Sequence, residues 1–155
     1  MIEIRRNSAG WSLSASQVVP ADIQEVFQFF SDAENLDVLT PPWVHFQLVS
    51  PRPVEMRTGT LIDYQLRLRK IPIRWRSEIT DWQPPFRFVD VQLNGPYRVW
   101  IHTHLFEPLP EGTRILDHVH YNVWGGRFVN AVGVKRDLLK VFAFRARALQ
   151  AIFGS

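Results

Sequence analysis

The sequence predicts an α+β domain: a curved, seven-stranded antiparallel sheet wrapped around one long C-terminal helix, with two short helices between strands 1 and 2. Three observations carry this. Residues 127–153 place Phe128, Val132, Leu139, Phe142, Ala146, Leu149 and Phe153 at helical spacing, with Lys135, Arg136, Lys140, Arg145 and Arg147 on the opposite side. From Trp43 to Val123 the apolar period is two, not 3.6, and the runs are broken by Pro- and Gly-bearing turns. Those turns are too short for crossovers, so neighbouring strands pair antiparallel. A helix of that length spans roughly 40 Å at ~1.5 Å per residue. Its apolar face needs a partner of similar reach, and only the sheet supplies one.

The elements follow in order. Trp11–Val19 alternates loosely and ends at Pro20, which makes a first strand; a short piece at Ile2–Arg5 can precede it. Pro20 and Asp22 suit a helix start, and Ile23, Val26, Phe27 and Phe30 form one stripe. Ser31-Asp32 begins a second short helix through Leu36, which Thr40-Pro41-Pro42 ends. Strands are then predicted at Val44–Val49, Thr60–Arg69, Ile73–Asp81, Phe86–Leu93, Arg98–Phe106 and Thr113–Val123. Ile62, Tyr64, Leu66 and Leu68 share one face of the second of these; Ile73, Trp75, Ser77 and Ile79 share one face of the next. One sheet face is therefore wet and the other covered. Gly125-Gly126 precedes the long helix, and Gly154 follows its last apolar residue. A strongly bent sheet and a straight helix meet at their ends and gap in the middle, so a cavity is expected between them.

With 155 residues, 46% of them hydrophobic and 13% aromatic, residues 1–155 read as a single globular domain with a real core. There is no cysteine, hence no disulfide and no thiol chemistry. No stretch reaches the length of a membrane span, and the first residues lack a signal-like apolar run, so a soluble, cytoplasmic protein is expected. The net charge is +3, with fifteen Arg and three Lys. The cations are spread along the whole chain rather than clustered, which argues against nucleic acid. A membrane surface is set aside because the helix's apolar face is better used as core.

Several stretches resemble a known superfamily. Val19-Pro20, Val26-Phe27, Phe29-Phe30, Asn35-Leu36 and Leu39-Thr40-Pro41-Pro42 are similar to the start of the SRPBCC proteins, the helix-grip group that includes START domains, the birch-pollen-allergen fold and polyketide cyclases. Gly59-Thr60-Leu61-Ile62-Asp63-Tyr64, Ile71-Pro72-Ile73-Arg74-Trp75, Phe88-Val89-Asp90, Gly95-Pro96-Tyr97 and Gly112-Thr113 narrow it to a subgroup labelled cyclase/dehydrase-like or cell-division-inhibitor-like. The resemblance covers residues 15 to 150. It implies a START-like ligand-binding domain for varied hydrophobic molecules, some members being enzymes. Relatives fused to epimerase-like oxidoreductases imply an oxidoreductase partner.

Candidate chemistry centres on His102-Thr103-His104 and His118-Val119-His120. Positions i and i+2 share a strand face, so each pair can chelate. If His102 sits opposite His118, four imidazoles share a face and zinc or iron follows; if all four face solvent, none of this holds. The bulk of Trp100, His102, His104 and Phe106, and the apolar set Ile115, Val119 and Tyr121, favour even residues inward on one strand and odd on the next. In related domains the position of Phe106, before the turn acid Glu107, looks like core. This register separates the pairs, and no metal or other cofactor is expected. It also brings Asp117 near His102 and His104, with Asp90 able to join. A His with a carboxylate in a dry cavity suits general acid–base work, and equally a buried network that fixes register. Tyr64, Trp75, Trp100 and Tyr121 are the candidate cavity aromatics, faced by Phe142 from the helix. The short helices around Ala21–Leu39 and the loops near Pro96–Tyr97 and Trp124–Gly126 are expected to frame the entrance. No G-x-S-x-G, H-E-x-x-H, P-loop or dinucleotide fingerprint occurs. Three functions remain: binding of a small hydrophobic ligand, cofactor-free cyclase or dehydratase chemistry, and a protein-interaction module. The sequence sets neither the register of the His102/His104 strand against the His118/His120 strand, nor whether the protein is catalytic, nor the ligand, pathway or oligomeric state.

Overall fold

A computed structural model describes residues 1–154. One antiparallel sheet holds β1 (Ile2–Asn7), β2 (Gly10–Val19), β3 (Gln47–Leu48), β4 (Leu61–Leu68), β5 (Ile71–Gln83), β6 (Arg87–Asn94), β7 (Val99–Leu109) and β8 (Gly112–Asn122), in the spatial order β1-β2-β8-β7-β6-β5-β4-β3. The helices are α1 (Ile23–Phe30), α2 (Gly126–Val129) and α3 (Lys135–Phe153), with 3₁₀ turns at Ala33–Leu36 and Pro42–Val44. The open sheet wraps the C-terminal helix, as the sequence predicts.

The strand count is eight rather than seven. The piece at Ile2–Arg5 is a full edge strand, paired with β2 from Ile2↔Ala15 to Asn7↔Gly10. At the other edge, the predicted strand Val44–Val49 shrinks to Gln47–Leu48. Pro41 and Pro42 fix φ there and start a 3₁₀ turn, so the chain reaches β4 late.

α1 starts at Asp22, whose carboxylate accepts the Gln24 N–H at 2.8 Å. It buries Val26, Phe27 and Phe30, and the rings of Phe27 and Phe30 meet Phe106 of β7 at 5.3 and 5.1 Å. At the end of β2, just before this helix, Gly112 of β8 packs against the backbone of Val19 and Pro20. Gly112 has φ of 147°, and an added Cβ would run into the Val19 carbonyl oxygen. Gly112→Ala is therefore expected to cost about 1–3 kcal/mol, seen as a lower urea midpoint with an unchanged slope.

The long helix departs from its sequence pattern. Between α2 and α3 lies a π-helical turn, Asn130–Val134. One extra residue in a turn rotates everything before it by about 100° around the axis. The buried line on α3 is Leu138, Phe142, Arg145 and Leu149. Phe128 and Val132, expected on the core face, are 76% and 66% exposed. Arg145, expected in solvent, is buried. Tyr121 explains the turn: its hydroxyl donates to the Asn130 side-chain oxygen at 2.8 Å, drawing that residue inward. No helix among the described residues is long and apolar enough to cross a membrane.

Candidate ligand cavity and its histidine–carboxylate cluster

A cavity of about 200 Å³ lies between the sheet and α3. Its walls are mostly apolar. Ile62, Leu66, Trp75 and Ile79 come from β4 and β5; Leu138, Val141 and Phe142 come from α3. Leu36, Leu39, Val44, Phe46 and Met56 close it from the segment between α1 and β4. The polar lining is concentrated in Ser77, Asp90, His102, His104 and Arg145, with Tyr64 adding a phenol.

The register of the central strands builds the cluster. His102 pairs with Val119 and His104 with Asp117 across β7/β8, while Asp90 pairs with His102 across β6/β7. The even residues of β7 and the odd residues of β8 thus share the inner face. His118 and His120 sit opposite Thr103 and Ile101, on the outer face, so the two histidine pairs do not meet.

His102 Nε2 lies 2.7 Å from Asp117 Oδ1, and His104 Nε2 lies 2.6 Å from Asp90 Oδ2. The two imidazoles stack at 3.7 Å, and Phe88 stacks on the other side of His104 at 4.0 Å. Arg145 donates to the same Asp117 oxygen at 3.0 Å, its guanidinium lying over Phe30 and Phe142. Burial pushes the His104 imidazolium down to about 4, the charge of His102 adding to the effect, while Asp90 and Asp117 oppose it. Burial also works against the Asp117 carboxylate, but Arg145 and the His102 hydrogen bond outweigh it and hold Asp117 well below the usual carboxylate range. Asp90 is likewise held low, against burial, by its bond to His104. Burial pushes the Tyr64 hydroxyl up, and the Asp90 charge adds to this, so Tyr64 stays a neutral donor.

An ionised carboxylate only accepts hydrogen bonds, so each bonded Nε2 carries the proton. That leaves His104 Nδ1 deprotonated; it is buried and without a partner, 3.6 Å from Asp117 Oδ1. The same logic leaves Nδ1 of His102 as the nitrogen available to a cavity occupant. Asp90, His102 and His104 also hold ligand atoms within 4.8 Å of one another, a set of the kind that can bind a metal. Two features disfavour it. Each Nε2 is already bonded to a carboxylate, and the in-plane lone pairs of stacked rings run parallel instead of converging on one ion.

The residues singled out in the sequence distribute unevenly. His102, His104, Asp90, Tyr64, Trp75, Trp100 and Phe142 all line the cavity. Asp117 lies behind His102 and Arg145 and lines a second hollow between α3 and β1–β2. Tyr121 is fully buried away from the cavity, stacked on Trp11 at 5.7 Å. Tyr97 and the turn after α1 border the cavity, whereas Trp124 is 67% exposed and does not. Arg145 is the participant that sequence reasoning missed. Its signal was a cation one turn from both Phe142 and Leu149, on their face of the helix, passed over because a cation was expected in solvent.

A sheet gripping a C-terminal helix around an apolar cavity defines the helix-grip class. Within it, the chain belongs to the family described as polyketide cyclase / dehydrase and lipid transport, which matches residues 10–154. Among solved structures, protein Ms6760 from Mycobacterium smegmatis is similar over 98% of this chain and 97% of its own, with a TM-score of 0.71 and 16% identity. Protein CV1439 from Chromobacterium violaceum is similar over 93% and 98%, with a TM-score of 0.72 and 15% identity. The major latex-like protein 151 of Panax ginseng covers 92% and 96%, with a TM-score of 0.67 and 11% identity. At these identities the likeness is one of fold. No curated protein matches the chain significantly.

Proposed function

We propose that this protein binds one small, mostly hydrophobic molecule that carries a polar group able to donate a hydrogen bond. The observation that supports this is the cavity itself: about 200 Å³, apolar over most of its wall, with its polar groups drawn together around His102. That volume lies below the roughly 300–1,000 Å³ usual for drug-sized ligands, so the guest is small. Trp75 and Trp100 meet edge to face at 5.5 Å and offer flat apolar surface. Before either imidazole takes a proton, two carboxylates face one guanidinium, so the polar end suits a donor better than an anion.

Native mass spectrometry of protein taken directly from its host tests this reading. The expected result is a retained molecule at one per chain, lost from a Leu138→Trp variant that narrows the cavity. Ligand-free protein that also takes up no member of a panel of apolar phenols and aliphatic alcohols would overturn it.

A second reading is favoured by the Asp117–His102 pair. His102, oriented through Nε2 by a carboxylate that Arg145 holds ionised, can accept a proton at Nδ1 from an acidic C–H or hydroxyl of the guest and return it elsewhere. That is the proton traffic of a cofactor-free cyclisation or dehydration. The same experiment separates the two: a guest returned unchanged in mass and connectivity supports binding alone, and a guest converted in a His102-dependent way supports catalysis.

A further inference from the structure

We infer that one end of the sheet is a docking surface for an anionic lipid bilayer. The antiparallel order puts four connections at this end: residues 7–10, 69–71 and 93–98, and the run from Val123 into the C-terminal helix. Three large apolar side chains stand in solvent on that run. Trp124, in the turn before α2, and Phe128 and Val132, four apart on α2 and the π-helical turn, are 67%, 76% and 66% exposed. The π turn is what rotates Phe128 and Val132 off the core face.

Charge selects the occupant. Residues 7–10, 69–71, 93–98 and 123–136 hold no Asp or Glu. They hold Arg69, Lys70, Arg98, Arg127, Lys135 and Arg136, of which Arg69 is paired with Asp137 at 3.3 Å. Arg98 lies over the Trp124 ring at 5.4 Å, so cation and indole act as one unit. The opposite end of the sheet carries Asp22 and Glu111 at its turns, and its cations Arg87 and Arg114 are paired with Asp81 and Glu107. Exposed Trp and Phe ringed by cations, with the neighbouring Asp137 taken up by Arg69, is the composition of a segment that rests in the headgroup region of anionic lipid. A protein partner would bring its own carboxylates in fixed places; a bilayer needs only the excess of one sign. Leu68 and Tyr97, which line the cavity, adjoin this end, so a docked molecule turns that side of the cavity toward the acyl region.

Co-sedimentation with vesicles tests the proposal. The protein is expected to pellet with phosphatidylcholine vesicles containing phosphatidylglycerol and to stay in solution with phosphatidylcholine alone. Added salt should release it. The pair Trp124→Ser with Phe128→Ser, and separately Arg127→Glu with Lys135→Glu, should each weaken binding by roughly tenfold or more. Because all four side chains are exposed, thermal midpoints should match wild type. No association with the anionic vesicles, or association that survives the Trp124/Phe128 pair, would overturn the inference. So would a concentration-dependent dimer that the same pair dissolves, since the patch would then serve a second copy of this chain.

Discussion

Replacing Asp117 with alanine is expected to destabilise the protein by about 3–5 kcal/mol, the cost of leaving a buried charge without its partner. Asp117 and Arg145 are 6% and 7% exposed, and their 3.0 Å contact joins β8 to the middle of α3. Without the carboxylate, the guanidinium remains between Phe30 and Phe142, with its Nε already unpartnered. Burial of that cation has no compensation, and His102 loses the acceptor of its Nε2 proton. The pair need not add net stability to be costly to break, because apolar replacements of a whole buried pair are often neutral. The double variant Asp117→Ala with Arg145→Leu should therefore recover most of the loss. Urea denaturation of the two single variants and the double one measures the coupling. A single Asp117→Ala change costing under about 1 kcal/mol would show that water screens the pair.

This contact also marks where the sequence was legible and where it was not. The sheet could be read because β4 and β5 alternate cleanly: Ile62, Leu66, Trp75, Ser77 and Ile79 are all buried. The register of β7 against β8 was not fixed by pattern, since Val99, Ile101 and Leu105 are apolar too; the choice of even residues inward, made on the bulk of Trp100, His102, His104 and Phe106, agrees with the pairing in the structure. Asp90 and Asp117 could then be placed beside the histidines by strand geometry alone. The helix failed at one point, and for a reason periodicity cannot show. The five-residue π turn changes the phase, and its cause, the Tyr121–Asn130 hydrogen bond, is a tertiary contact between residues that carry no helical signal together. From that single slip follow the two errors before the turn, Phe128 and Val132 outside; Arg145, three residues after Phe142 and four before Leu149, lies inside by ordinary helical spacing and was set outside only because it is a cation. Val44–Val49 was read as a full strand because a short apolar run looks like one when nothing reports its pairing; only Gln47–Leu48 pairs. Val44, Phe46 and Met56 went unrecognised as part of the cavity wall.

The stability of the protein should fall on mild acidification, between pH ~6.5 and ~4, because of His104. In the unfolded chain its imidazole takes a proton near 6.5; in the folded protein it does so only at about 4. Across that window the unfolded state binds the proton and the native state does not, so protons favour unfolding and stability rises with pH. The contribution is fully present above the unfolded value and is lost as pH falls toward the folded one. It approaches about 3 kcal/mol for the whole shift. The cause is physical confinement: the ring is held between Phe88 and His102, with Nε2 spent on Asp90 and Nδ1 shut away from water. The depressed carboxyls of Asp90 and Asp117 act lower, since a carboxyl held below its unfolded value loses its contribution only as pH drops under ~4. The two effects therefore occupy different windows. His104→Gln keeps a donor for Asp90 and removes the titration, so its urea midpoint should stay nearly level where that of wild type declines. Parallel curves for the two proteins would mean that the His104 ring takes its proton as freely folded as unfolded, and that the closed stack of Phe88, His104 and His102 opens to solvent.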